Sequence, residues 1–238
     1  VRIDDACLVI SDVDASDAYY SALGLERRMR NVRFADFVLG TGPRLAMWTR
    51  PSIAETVGPS YPAGAGQPFS LTLDLESEAL ERAGERRLLV DPDGFVLRLR
   101  DSADGIRRLS EIDLTVTDLD ATTDFLLLLG FEVTDRVEGA RVFSAGEVTL
   151  TLYEGATHLQ SPLAQASELD LAPSTGHLML AIELSTGEQV DELYRALLDR
   201  GLEASGPPAV FEWGARSTYF LDADGYIWEI YAWVETPR

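Results

Sequence analysis

The sequence predicts an α+β fold of two tandem domains built from four β-α-β-β-β units. Three observations predict it. Ser11–Gly24 (SDVDASDAYYSALG) and Thr117–Gly130 (TDLDATTDFLLLLG) align without a gap at an offset of 106 residues. The acidic turn Asp91-Pro92-Asp93-Gly94 recurs as Asp222-Ala223-Asp224-Gly225. Within each half, a strand followed by a helix then starts again. Repeats of this kind mark duplicated supersecondary units, and one helix per group of antiparallel strands argues α+β rather than α/β. The halves are read as 1–102 and 106–238, with the polar run Asp101–Gly105 as linker.

In chain order, Asp5–Ile10 and Glu111–Val116 alternate as strands. Each leads into a short helix with an Asp in cap position (Asp14, Asp120) and a closing glycine, Gly24 or Gly130. Short strands follow at Phe34–Leu39 and Arg44–Trp48, and at Arg141–Phe143 and Val148–Tyr153. The connectors Arg50–Gln67 and Gly155–Gly176 are rich in Pro, Gly, Ser and Ala. They are long for loops, which suits lids or contacts in a homodimer. Phe69–Leu75 and Ser77–Ala83 form a shortened second unit. Gly176–Leu184 alternates His177, Met179 and Ala181 against Leu178, Leu180 and Ile182. The helix after it has a capping box, Ser185 with Glu188, an apolar stripe from Val190 to Leu198, and Gly201 at its end. The final hairpin places Tyr226, Trp228 and Ile230 on one face, and Ile227, Glu229 and Tyr231 on the other.

Composition excludes several classes of function. Forty acidic against 20 basic residues give a formal net charge of −20, which repels nucleic acid and anionic membranes. One cysteine, Cys7, supports no disulfide framework or thiolate metal site, and reads as a small buried hydrophobe. No run approaches the roughly 18 apolar residues of a membrane span. The start lacks the basic segment of a secretory signal. The expectation is therefore a cytoplasmic protein with a small-molecule ligand, no nucleic acid and no membrane.

The four units, the helix after each half's first strand and the D-x-D-G-x-x-x-E hairpin ending at Glu229 resemble the vicinal oxygen chelate superfamily. That superfamily includes glyoxalase I, bleomycin-resistance proteins, methylmalonyl-CoA epimerase and the extradiol dioxygenases. The resemblance implies two vicinal-oxygen-chelate-like domains, each pair of units closing into a cupped sheet around a ligand. It also implies a divalent metal (Zn, Ni, Mn or Fe) held from the first and last strands of the units. Carried over by position, the ligands fall at Glu111, His177 and Glu229, and alternation turns each of them away from the helix-packing side. A further family ligand position falls near Thr151, which is unsuitable. Asp113, Trp213 and Tyr231 would line the same cup. The matching first-half positions are Asp5, Pro68, Arg98 and Met47; no metal is expected there, and Asp5 and Arg98 are expected to pair.

Two functions follow. One is a metal-dependent enzyme acting on a small oxygen-bearing substrate by isomerase, lyase or oxygenase chemistry. The metal would polarise a carbonyl or enediolate while Glu111 or Glu229 moves a proton. The other is a metal-free protein that binds or sequesters a small molecule or antibiotic. His158, in the second connector, reads as a solvent-exposed loop residue.

Overall fold

The computed structural model describes residues 1–58, 61, 64–155, 161–169, 171 and 174–234. Unit 1 comprises β1 (Ile3–Ile10), α1 (Val13–Ala22), β2 (Glu26–Arg30), β3 (Phe34–Val38) and β4 (Arg44–Thr49). Unit 2, after α2 (Arg50–Val57), has β5 (Phe69–Leu75), α3 (Ser77–Ala83), β6 (Leu88–Val90) and β7 (Val96–Asp101). It is one strand short, as the trimmed sequence predicts. Unit 3 is β8 (Arg108–Val116), α4 (Leu119–Leu129), β9 (Glu132–Val137), β10 (Ala140–Ser144) and β11 (Thr149–Glu154). Unit 4, after α5 (Pro162–Glu168), is β12 (His177–Glu183), α6 (Gly187–Asp199), β13 (Ala209–Val210), β14 (Ala215–Leu221) and β15 (Ile227–Trp233).

Local chemistry explains the element ends, with small corrections to the expected caps. Asp12 and Asp118, two residues before the expected Asp14 and Asp120, are the N-caps, their carboxylates accepting from backbone N–H groups of the first helical turn. Gly130 closes α4 in the left-handed region at φ +94°. The capping pair of α6 sits one residue later than expected: Thr186 accepts from the Gln189 N–H, and the Gln189 side chain accepts from the Ser185 N–H. Both connectors carry a short helix begun by a proline, Pro51 in α2 and Pro162 in α5. His158 lies outside the described residues.

The strands assemble into two mixed sheets, but not half by half. The eight-stranded sheet runs β13-β14-β15-β12-β1-β4-β3-β2, and the seven-stranded sheet runs β6-β7-β5-β8-β11-β10-β9. The first cup, here cup A, therefore joins units 1 and 4, and cup B joins units 2 and 3. This corrects the division at 102–106 as a boundary between cups: each sequence half contributes one unit to each cup. Antiparallel pairing of β1 with β12 closes cup A, with Asp5 opposite Ala181 and Cys7 opposite Met179. Pairing of β5 with β8 closes cup B, with Thr72 opposite Glu111.

The helix-bearing faces of both sheets share one apolar core that includes Leu8, Leu71, Leu114, Leu180 and Trp228. Phe125 of unit 3 meets Trp228 of unit 4 edge-on, with centroids 5.5 Å apart. The duplicated acidic turns lie at this seam. In each, the first Asp accepts from two backbone N–H groups of its own turn: Asp91 from Asp93 and Phe95, Asp222 from Asp224 and Tyr226. Gly94 and Gly225 supply the φ near +85° that the turn needs. The second Asp reaches the other cup. Asp93 accepts from the Ser11 N–H at 3.0 Å, and Asp224 accepts from both the N–H and the hydroxyl of Thr117 at 2.9 and 2.8 Å. The Tyr20 hydroxyl adds a bond to Asp91, and the Tyr226 hydroxyl bonds to Thr115.

Asp224 is buried whereas the Asp93 contact is solvent-exposed, so the two clasps differ in value. Asp224→Ala is expected to lower unfolding free energy by about 1.5–3 kcal/mol, the range for hydrogen bonds to a charged group, in a urea titration. Asp93→Ala should cost less than half as much.

Candidate ligand-binding site

Cup A holds an open cavity of about 1000 Å³. Its floor is the concave face of the eight-stranded sheet, where alternation turns Asp5, Cys7, Met179, Glu229 and Tyr231 away from the core. Phe34 and Trp48 form one wall, edge to face at 6.3 Å. Trp213, Tyr219, Tyr231 and Trp233 form the other. Phe211 stacks on Trp213 at 4.7 Å and meets Tyr219 edge-on, which fixes this wall.

Across the floor, register places five residues in one row: Arg44, Asp5, Ala181, Glu229 and Tyr219. Arg44 pairs with Asp5 at 3.0 Å and with Asp4 at 3.5 Å. The Tyr231 hydroxyl donates to Asp4 at 2.5 Å, and the Tyr219 hydroxyl donates to Glu229 at 3.1 Å. Burial raises the Asp5 carboxyl to about 7 against the pull of Arg44, with Asp4 and Glu229 adding to the rise. Burial likewise raises Glu229 to about 7, offset in part by Tyr219 and by Arg44. The Cys7 thiol is pushed up by burial and by the same two carboxylates, so it stays protonated and unreactive at neutral pH. Rim cations are already neutralised: Arg28 pairs with buried Asp36, and Arg33 with Glu55 at 2.8 Å.

The residues expected to form a metal site do not meet. Glu111 stands in cup B, where it accepts from Arg100 at 2.6 Å and Thr72 at 3.3 Å and lies 3.7 Å from Arg98. Asp113 is beside it, buried, accepting from the Ser70 hydroxyl; burial raises its carboxyl to about 7. His177 and Glu229 do share the eight-stranded sheet, but Glu229 is level with Ala181. His177 is four residues further along β12, about 13 Å away at 3.3 Å per residue. Its Nε2 donates to the Gly64 carbonyl at 3.0 Å, and Gly66 packs against Nδ1. His177 is thus a buried post for the first connector, with Tyr61 edge-on to its ring. The expected Asp5–Arg98 pair is also replaced: the two residues lie on different sheets, Asp5 pairing with Arg44 and Arg98 with Glu111.

A divalent ion does not fit the residues present. Among the described residues, no three His, Cys, Asp or Glu side chains converge as ligands. The positions around Asp5 and Glu229 are Cys7, Ala46, Ala181 and Met179; burial holds the Cys7 thiol protonated, and Asp5 is already held by a guanidinium. Sequence reasoning placed Glu229, Tyr231 and Trp213 on the cavity. It missed Asp5 as their partner and Arg44 altogether; the one available signal was that Asp5 and Glu229 open and close the strands at the two ends of the chain.

Residues 108–230, just over half of the chain, match the family described as Glyoxalase/Bleomycin resistance protein/Dioxygenase superfamily. The chain belongs to this superfamily. Its fold is similar to a putative dioxygenase from Bacillus subtilis, with a TM-score of 0.62, 15% identity and coverage of 98% of this chain and 86% of that one. A glyoxalase I variant from Zea mays gives 0.61, 17% identity and coverage of 97% and 93%. A glyoxalase/bleomycin resistance protein/dioxygenase from Nocardioides is 29% identical over 55% of this chain and 86% of its own, with a TM-score of 0.44. No curated protein sequence matches. No helix among the described residues is long and apolar enough to cross a membrane.

Because burial raises both floor carboxyls, their folded-state protonation is favoured. This contribution to stability is present below the ordinary carboxylate range and is lost as pH rises towards 7. Asp5→Asn and Glu229→Gln should each raise the melting temperature at pH 8 by a few degrees, on the scale of 2–4 °C per kcal/mol for a chain of this size. The gain should vanish near pH 4. Differential scanning fluorimetry across pH reads both.

Proposed function

We propose that this chain is a metal-independent small-molecule-binding protein of its superfamily, with the ligand seated in cup A. The observation that carries the reading is the composition of that cavity. It is walled by aromatic rings on two sides, its rim arginines Arg28 and Arg33 are already paired, and on its floor the Asp5 carboxylate keeps one oxygen without a hydrogen-bond partner. A pocket of this size, mostly apolar with a few convergent polar groups, is the usual form of a small-ligand site. The ligand is expected to be a flat, largely apolar molecule slotted between Trp48 and Trp213. Sequestration, as in the bleomycin-resistance branch named by the family, is the use this geometry serves most directly.

A second reading is favoured by one observation. Glu229, with a carboxyl near 7 and a hydroxyl donor on one side, is suited to move a proton to or from a bound molecule near neutral pH. Glu111 has no part in that reading, because it lies in the other cup, engaged by two arginines.

Intrinsic tryptophan fluorescence tests the proposal. Trp48, Trp213 and Trp233 line the cavity, while Trp228 is sealed in the core. A flat aromatic ligand should quench and shift the emission, and Trp213→Phe should remove most of the signal change. Glu111→Gln should leave binding unaltered. Adding Zn, Ni, Mn or Fe(II) should leave the melting temperature unchanged; a metal-dependent rise would overturn the metal-independent reading.

A further inference from the structure

Each described cation that lines cup A already has a carboxylate. Arg28 is held by Asp36, Arg33 by Glu55 at 2.8 Å, and Arg44 by Asp5 at 3.0 Å and Asp4 at 3.5 Å. The reverse does not hold. Glu212 and Glu229 also line the cavity, and neither forms an ion pair with a described residue. Glu212 is exposed in the turn between β13 and β14, whereas Glu229 is half-buried on β15 at the cavity surface. Glu229 Oε1 accepts from the Tyr219 hydroxyl at 3.1 Å; Oε2 has no well-formed hydrogen bond among the described residues.

The wall around Glu229 is aromatic. Tyr219 lies level with it on β14, and Tyr231 is the next inward residue on β15, about 6.6 Å along the strand. Phe211 meets Tyr219 edge-on at 6.0 Å and stacks on Trp213 at 4.7 Å, while Trp233 meets Tyr231 edge-on at 5.8 Å. Ring faces carry negative potential, so rings grouped with a carboxylate favour a cation. The opposite end, at Phe34 and Trp48, differs: its one lining carboxylate, Glu55, is spent on Arg33. Strands β4 and β15 are three spacings apart in the sheet, about 14 Å. The cavity is therefore acidic at one end and neutral at the other.

Resting on the cup A reading above, we propose that the Glu229 end of the cavity receives the ammonium group of an arylalkylamine, with the aromatic body directed towards Trp48. The nitrogen donates to Glu229 Oε2, a charge-assisted hydrogen bond, beside the rings of the Trp213 wall. Tyr219 is a positioning residue, because its hydroxyl holds Oε1 and leaves Oε2 to the ligand. Glu212, at the rim, steers the cation inwards. An anionic head is disfavoured by the floor itself, where one guanidinium, Arg44, stands against the carboxylates of Asp4, Asp5 and Glu229.

The test compares three probes with one flat body: 4-phenylbenzylamine, 4-phenylbenzyl alcohol and 4-phenylbenzoate, titrated at pH 8 by calorimetry and by tryptophan emission. The amine should bind at least tenfold more tightly than the alcohol, the equivalent of one charge-assisted hydrogen bond, and the carboxylate should bind most weakly. Glu229→Gln should weaken the amine tenfold or more and the alcohol less than threefold. Tyr219→Phe should weaken the amine more than the alcohol, a difference that a general loss of packing would not produce. Glu212→Gln, at an exposed site, should cost the amine less than fivefold. Glu111→Gln, in the other cup, should bind all three as the parent does, and near-UV circular dichroism checks that each variant is folded. Alcohol or carboxylate binding as tight as that of the amine overturns the head-group assignment while leaving the cavity reading standing. So does amine binding that is unchanged in Glu229→Gln. If none of the three binds at millimolar concentration the assignment also falls, and the cavity reading is then judged by the tryptophan experiment alone.

Discussion

The antiparallel pairing of β1 with β12 is the contact on which the rest of the molecule depends. It joins residues 3–9 to residues 177–182, segments separated by most of the chain. Without it, β4 and β15 have no common sheet and Asp5 has no Glu229 to face. Strand pairing satisfies backbone groups that would otherwise be buried and unpaired, so the cost of leaving β1 unpaired falls on both halves at once. Cup B, by contrast, is built from one continuous stretch, residues 69–154. The molecule is therefore a contiguous cup enclosed in sequence by the two pieces of another. Closing the outer one needs the longest loop in the chain, and loop entropy of that kind grows only slowly with length. The acidic turns then hold each half's two units together across the seam between cups.

The two cups handle their charges in opposite ways. In cup B, Glu111 is engaged by Arg98 and Arg100, and Arg100 is further shared with Asp74 at 2.8 Å. Hydroxyls of Ser70, Thr72 and Ser110 fill much of the remaining hydrogen-bonding capacity. That network is close to self-sufficient, and a ligand would have to break it to enter. In cup A one arginine serves Asp4 and Asp5, Glu229 has a tyrosine in place of a cation, and an Asp5 oxygen is unfilled. Incomplete satisfaction is costly to the free protein and is retained where a ligand completes the set. The contrast, rather than cavity size alone, is what supports the proposed ligand site in cup A.

Much of this was legible in the sequence, and what was not has a definite physical cause. Side-chain parity along a strand is local, so Glu229 and Tyr231 were correctly turned away from Trp228 and Ile230. The repeats at Asp12–Gly24 and at the acidic turns are local too, and they gave four units and two cups. Partner choice is not local. A duplicated chain offers four first strands with similar edges, and nothing in the alternation of Glu111–Val116 says whether it pairs with β5, β12 or β1. The family resemblance groups Glu111 with His177 and Glu229, and alternation turns all three inwards, yet they turn into different cups, or to different ends of one. His177 shows the second limit: its strand position was right, but Gly64, far away in sequence, already takes its Nε2, and Gly66 packs against the ring at Nδ1.

The acidic turns show what a repeated motif next to a candidate residue does in this fold. Asp222-Ala223-Asp224-Gly225 precedes Glu229, and its earlier copy precedes Arg98, so the turn looks like part of a site that one half kept and the other lost. Its chemistry is the same in both halves, however: the first Asp binds its own turn, and the second reaches the strand-to-helix corner of the neighbouring unit. Burial also raises the Asp222 carboxyl to about 7 although it touches no ligand cavity; its neighbours are the Trp228 indole N–H and its own turn. A raised carboxyl by itself therefore does not mark a binding residue in this protein. Asp222 is surrounded by donors that complete it, whereas Asp5 and Glu229 line the cavity and Asp5 keeps one oxygen without a hydrogen-bond partner. Only where a raised carboxyl and an unfilled acceptor share one cavity do the two observations point to a ligand.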